Sequence, residues 1–174
     1  IRAGKGRIIN RGTIEGTAAE LRAAGGNAYA LAINNTGVVR ATGVSRSGGR
    51  VLLTAGGTIR NTGRVESRKK VVVRSTKRIE NKGTIRVHDA VTRTGGKIVF
   101  EAPEILVETG SVLDVSAALG GGRSFVGGGF QGGQTDRAGI ENVEIATNAQ
   151  RVTVQSGALL DASASESGNG GEVV

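Results

Sequence analysis

The stretch Asn61-Thr62-Gly63-Arg64-Val65 decides how the rest of this chain reads. It recurs, with variation, as Asn10-Arg11-Gly12-Thr13-Ile14, Asn35-Thr36-Gly37-Val38-Val39, Asn81-Lys82-Gly83-Thr84-Ile85, Glu108-Thr109-Gly110-Ser111-Val112 and Gln155-Ser156-Gly157-Ala158-Leu159. Successive glycines lie 25, 26, 20, 27 and 47 residues apart, and the last interval reads as two periods with one block lost. A second block follows half a period behind, as Gly48-Gly49-Arg50-Val51, Lys69-Lys70-Val71, Gly95-Gly96-Lys97-Ile98, Gly121-Gly122-Arg123 and Gly170-Gly171-Glu172-Val173. Self-similarity at about 20–50 residues marks a solenoid, a propeller or an array.

Between the blocks, apolar residues alternate. Val51 and Leu53 share a face, as do Val71 and Val73, and Ile85 and Val87. That is the period of a strand. Short strands closed by Asn/Gly turns leave little room for a helix in each period. Leucine-rich, ankyrin-like and propeller repeats lack their required frames here. The period predicts an all-β fold, a parallel β-helix of about seven coils and roughly 35 Å in length. The predicted turns are Asn35, Gly37, Asn61, Gly63, Asn81, Gly83, Gly110 and Gly157. Glycine accepts positive φ at a corner, and asparagine bonds neighbouring backbone there. Stacked Asn side chains can also form a coil-to-coil ladder. The expected inward stacks are Ile14, Val39, Val65, Ile85, Val112 and Leu159, and Val51, Val71, Ile98 and Val173. One segment departs from this pattern. The Ala-rich run after Thr17, with Leu21, Ala24 and Ala28 at helical spacing and Gly25 as a stop, predicts a short helix over 18–24.

The 174 residues include 30 Gly, one Pro and no Cys, Met or Trp, and aromatics make up 2%. Val, Ile, Leu and Ala must therefore do the burying, which suits a narrow core built by stacking. Without cysteine there is neither a disulfide framework nor a thiol-ligated metal. No run approaches the ~18–20 apolar residues of a membrane span, so no membrane insertion is expected. The start at Ile1 and the stop inside a pattern read as a single segment, 1–174, of a longer protein. Net charge is +8, and it is concentrated. From Arg60 to Lys97 there are 12 Lys or Arg against 3 Asp or Glu.

The runs "AAGGNAYALAINNTGVVRATG" (23–43), "GGRVLLTAGGTIRNTG" (48–63), "VLDVSA" (112–117), "GGRSFVGGGFQGG" (121–133) and "NAQRVTVQSGALLDASASESGNGGEVV" (148–174) resemble the filamentous haemagglutinin family. These are large bacterial exoproteins exported by two-partner secretion. The resemblance covers nearly the whole chain. It implies a right-handed β-helix, a direction that parallel crossovers also favour. It implies export through an outer-membrane transporter partner, followed by display on the cell surface or release. The implied roles are adhesion, biofilm formation or presentation of a toxin. The chain departs from the family in its basic stretch, where Lys69-Lys70 replaces the Gly-Gly pair.

Candidate site residues come from that stretch. Arg64, Arg68, Lys69, Lys70, Arg74, Lys77, Arg78, Lys82 and Arg86 fall on adjacent coils and could share one face. They would bind host or matrix glycans or other polyanions. Alternatively they form a solvated surface that discourages edge pairing. No aromatic platform for stacking bases accompanies them. Asp114 and Asp161 occupy matching repeat positions, which points to a corner role rather than an acid/base pair. His88, the single histidine, reads as a surface turn residue. The segment Gly127–Asp136 lacks the Gly-Lys-Ser/Thr of a phosphate loop and reads as a close-packed loop. Nothing here calls for catalysis, a metal or a cofactor. The expected function is a structural and adhesive rod segment. The alternatives are a self-assembling filament subunit, stacking coil on coil or laterally, and a carbohydrate-active β-helix enzyme.

Overall fold

The computed structural model describes residues 1–3, 6–24, 31–43, 48–129 and 148–174. Gly25, the expected helix stop, and residues 130–136 of the Gly-rich segment lie outside them. The described residues form strands, turns and bends, with no helix.

The strands are numbered in chain order and fall into three parallel sheets. Sheet A stacks β1 (Arg2–Ala3), β4 (Ala19–Ala23), β7 (Arg50–Ala55), β10 (Lys70–Ser75), β14 (Lys97–Glu101), β17 (Arg123–Val126) and β20 (Glu172–Val173). Sheet B stacks β2 (Ile8–Asn10), β5 (Ile33–Asn35), β8 (Ile59–Asn61), β11 (Arg78–Asn81), β15 (Glu104–Val107) and β18 (Arg151–Val154). Sheet C stacks β3 (Thr13–Gly16), β6 (Val38–Ala41), β9 (Arg64–Ser67), β12 (Thr84–Asp89), β16 (Val112–Asp114) and β19 (Leu159–Asp161). A short β13 (Thr94–Gly95) folds back antiparallel on the end of β12. The chain visits A, B and C in turn and begins again, the arrangement of a parallel β-helix or solenoid.

Each strand sends alternate residues inward, and the inward residues stack. Sheet B aligns Ile8, Ile33, Ile59, Ile79, Ile105 and Val152. Sheet A aligns Leu21, Leu53, Val73, Phe100 and Val126. Its second column, Val51, Val71, Ile98 and Val173, is as expected, with Ala19 and Ser124 completing it. Aliphatic side chains laid one strand spacing apart fill most of a narrow core, with Phe100 as the ring among them.

Buried Asn side chains form the expected ladder. Asn10 Nδ2 donates to Asn35 Oδ1 at 2.7 Å, Asn35 Nδ2 to Asn61 Oδ1 at 2.8 Å, and Asn61 Nδ2 to Asn81 Oδ1 at 2.7 Å. Asn81 Nδ2 ends the series on Ser111 Oγ at 2.5 Å. Second bonds from Nδ2 to the Gly37 and Gly83 carbonyls anchor Asn35 and Asn81 within their own corners. Every polar atom in such a column must be satisfied, because burying an unpaired amide costs about 1–3 kcal/mol.

Four expectations need correction. Residues 18–24 carry strand β4 rather than a helix. Ala is the strongest helix former, but propensity is a small bias that tertiary pairing overrides, and Ala19, Leu21 and Ala23 alternate inward in register with Val51, Leu53 and Ala55. The expected stack of Ile14, Val39, Val65 and Ile85, on sheet C, continues through Leu113 and Leu160, not Val112 and Leu159, because Ile85 pairs with Leu113 and Leu113 with Leu160. The corners at Gly110 and Gly157 hold two more residues than the Asn-x-Gly corners, which shifts the register. The interval of 47 hides no missing coil. β15 pairs directly with β18 and β16 with β19, and the additional chain lies between β17 and β18. Finally, Lys70 pairs with Arg50 and Lys97, so Arg68 and Lys69, not Lys69 and Lys70, stand where the other coils have Gly-Gly.

The Asn-x-Gly glycines also have a different purpose from the one expected. Among the described glycines only Gly49, Gly110, Gly127, Gly157 and Gly168 have positive φ. A Cβ on Gly63 would sit 2.1 Å from the Gly37 carbonyl oxygen, and one on Gly83 would sit 2.0 Å from that of Gly63. These corners need glycine because successive coils touch there.

Candidate functional site

The nine candidate cations do not form one band. Arg64 and Arg86 lie on sheet C, Lys70 and Arg74 on sheet A, and Arg78 on sheet B. Arg68 and Lys69 cross from C to A, Lys77 from A to B, and Lys82 from B to C. Residues 64–86 make one circuit of the rod, so a local run of charge is spread around all three faces. Only residues about one period apart become neighbours.

On sheets B and C most arginines are held by carboxylates of the same or an adjacent strand. The outward column of sheet C runs Glu15, Arg40, Glu66, Arg86, Asp114 and Asp161. Arg40 bridges Glu15 at 3.3 Å and Glu66 at 2.6 Å. Arg64 reaches Glu66 at 2.5 Å, and Arg86 reaches Asp114 at 2.7 Å. Partial burial works against the Glu66 carboxylate, but bonds from Arg40 and Arg64 outweigh it and hold its pKa below the ordinary value. On sheet B, Arg78 lies 3.0 Å from Glu80 and 3.6 Å from Glu104, and Arg60 lies 3.8 Å from Glu80. Exposed pairs of this kind each contribute little, about 0–1 kcal/mol. Together they neutralise two faces of the rod.

Sheet A is built differently. Its outward positions Arg50, Lys70, Lys97 and Arg123 are direct strand partners, and the row ends at Glu172. Beside this row runs an outward apolar column of Leu52, Val72, Val99 and Phe125, the last fully buried and packed with Val174. Arg74 holds the buried Glu101 at 2.8 Å. Arg50, Lys70, Arg74, Leu52, Val72 and Val99 line a pocket of about 130 Å³. Like charges placed opposite one another weaken a sheet, and at the end of this row Arg123 lies 3.5 Å from Glu172. Arg50, Lys97 and Arg123 were not among the candidate residues. They were findable, since each occupies the position after Gly-Gly in its second block.

The remaining candidates settle into local roles. Asp114 and Asp161 are in register, and each accepts a backbone N–H from the residue two places on, Ser116 and Ser163, at 2.9 Å. Burial raises the Asp114 pKa, but the Ser116 hydroxyl and amide and Arg86 more than offset this and leave it lowered. This is the corner role expected of the pair. His88 is not on a turn. It lies near the end of β12, opposite Gly95, with Nδ1 buried and unbonded. Around it, Arg40, Arg68, Arg86, Glu66, Ala90 and Val91 contribute to the lining of a second pocket, of about 330 Å³. Among the described residues no group of His, Asp and Glu is placed to hold a metal ion. Compared with known proteins, the chain matches no family model, no curated protein and no solved structure.

Proposed function

We propose that the chain is a structural and adhesive segment of a bacterial exoprotein of the filamentous haemagglutinin type. In this reading it is a right-handed β-helix of about seven coils, exported through an outer-membrane transporter partner and displayed at the cell surface or released. Stacked aliphatics, continuous strand ladders and the Asn column make a stiff rod. One observation carries the adhesive part: the in-register row Arg50, Lys70, Lys97 and Arg123 beside an apolar column. A row of cations at strand spacing matches the repeated charge of a sulfated or carboxylated polymer, and such binding weakens as salt rises. The test is elution from immobilised heparin. Lys70→Ala with Lys97→Ala is expected to elute at clearly lower salt than the parent, while Lys77→Ala with Lys82→Ala changes little. Equal loss from both pairs, or none from either, refutes a site on sheet A.

A second reading, a filament subunit stacking end to end, is favoured by the end of the rod that carries β18 to β20. There Val152, Val154 and Val173 are 43%, 49% and 48% exposed, although their partners Ile105, Val107 and Ser124 are buried. Sedimentation across a concentration series tests it: association that Val152→Lys abolishes supports the filament.

A further inference from the structure

The second pocket is a built feature of the fold. From β9 to β10 the chain crosses from sheet C to sheet A through Arg68 and Lys69 alone. One coil later it does not take that short route. β12 runs on past the end of β9, whose last paired residue is Ser67 opposite Val87. It turns through residues 90–93 and returns as β13, with His88 opposite Gly95 and Asp89 opposite Thr94. The resulting loop overhangs the preceding coils.

This loop is firmly held. Asp89 accepts the amides of Val91 at 2.9 Å and Thr92 at 3.4 Å, and Arg68 Nη2 at 2.5 Å. Arg93, the one non-glycine among the described residues with positive φ, pairs with Glu166 on the far side. A corner needs none of this.

The lining is rich in donors. Arg40 commits Nε to Glu66 and Nη1 to Glu15, Arg68 commits Nη2 to Asp89, and Arg86 commits Nε to Asp114. A guanidinium carries five N–H groups and accepts nothing, so three of them in one pocket leave several donors beyond their ion pairs. Glu66, the one carboxylate in the lining, is already bonded by both Arg40 and Arg64. Ala41, Ala90 and Val91 supply apolar wall, and Val91 is 76% exposed at the rim. His88 Nδ1 is buried without a hydrogen bond, which a purely structural histidine would seldom leave so. The volume of about 330 Å³ stands at the small end of ligand pockets.

We infer that this overhung pocket binds one sugar ring bearing an oxyanion, a carboxylate or a sulfate, with the anion on the arginine N–H groups and the ring against Ala90 and Val91. The site is separate from the cation row on sheet A. It recognises a single charged residue, whereas the row follows a polymer.

The test is titration of the ¹⁵N-labelled chain with glucuronate, with N-acetylglucosamine 6-sulfate and with neutral N-acetylglucosamine. At least one charged sugar is expected to give saturable shifts at Ser67, His88 and Val91, and the neutral sugar to bind at least about tenfold more weakly, as loss of one charge-assisted bond implies. Which charged sugar binds identifies carboxylate or sulfate as the group held. Arg40→Gln and Arg86→Gln should each weaken binding about tenfold or more. Each leaves its carboxylate another partner, Arg64 for Glu66 and Ser116 for Asp114. Thr42→Trp, which fills the exposed mouth and breaks no ion pair, should abolish binding even if an arginine variant misfolds. Lys70→Ala with Lys97→Ala should leave it unchanged, which separates this site from the heparin result. Equal binding of neutral and charged sugars, binding that survives Thr42→Trp, or no binding by either charged sugar overturns the inference.

Discussion

The rod turns from sheet B to sheet C in two ways. At Asn35, Asn61 and Asn81 the corner is an Asn-x-Gly whose glycine lies against the previous coil and whose Asn extends the buried ladder. At Gly110 and Gly157 the corner is wider. Ser111 N bonds Glu108 O at 2.9 Å, Ala158 N bonds Gln155 O at 3.1 Å, and both glycines have positive φ. The first kind of corner is fixed by its neighbours on the adjacent coils. The second also bonds the adjacent coil, but it adds a turn closed by its own backbone. Two glycines that look alike in a repeat alignment therefore answer to different physics, close approach in one case and handedness in the other.

Substitutions can break this comparison. Gly63→Ala sets a methyl group against backbone and should cost at least about 3 kcal/mol, read as a lowered urea midpoint. A midpoint no lower than that of Gly110→Ala would undo the distinction between the corners. Next in size, Asn61→Leu interrupts the ladder and strips a partner from both Asn35 and Asn81, costing about 2–5 kcal/mol. Ser111→Ala, at the end of the ladder, removes one bond and should cost only about 1 kcal/mol. Equal losses would mean that the column is not acting as a chain.

Acid gives a smaller and broader effect. Glu66, Asp89 and Asp114 all have folded-state pKa values below their ordinary ones. Their contribution is therefore complete above about pH 4–5 and lost as the pH falls through the folded values. Melting temperature should be flat near neutrality and fall below about pH 4, with Asp114→Asn showing a shallower fall. The smallest effect belongs to Gly110→Ala, where a Cβ meets nothing within 4 Å and only the positive φ is strained, at about 1 kcal/mol.

The repeat made the coil legible. Asn and Gly recur because the coils touch, and the second blocks align in the structure as they do by eye, from Arg50 to Glu172. Less was visible where the signal is ambiguous. Alanine favours helix and is depleted from strands, so β4, set by its pairing with β7, was hidden in a local reading. The corner at Glu108–Ser111 has lost its Asn, and two added residues pass unnoticed when only the glycine is aligned. The cation row on sheet A was obscured because charge was read along the chain, whereas the relevant neighbour of Lys70 is 20 residues back, at Arg50. The overhung pocket had no repeating signal, since its loop occurs once.

The constant register bears on how such a chain reaches its native state. Before the segment that follows β17, every parallel partner lies between 20 and 32 residues away in sequence. The entropy of closing each new coil is then nearly the same wherever it forms, and a finished coil serves as the template for the next. Folding can run from one end as a zipper, at a pace that does not slow as the rod lengthens. The coil of β18 and β19 is the exception. Its closure from Ile105 to Val152 spans 47 residues and costs about 0.5 kcal/mol more than closure over a typical period, so it adds to the template more slowly than the coils before it.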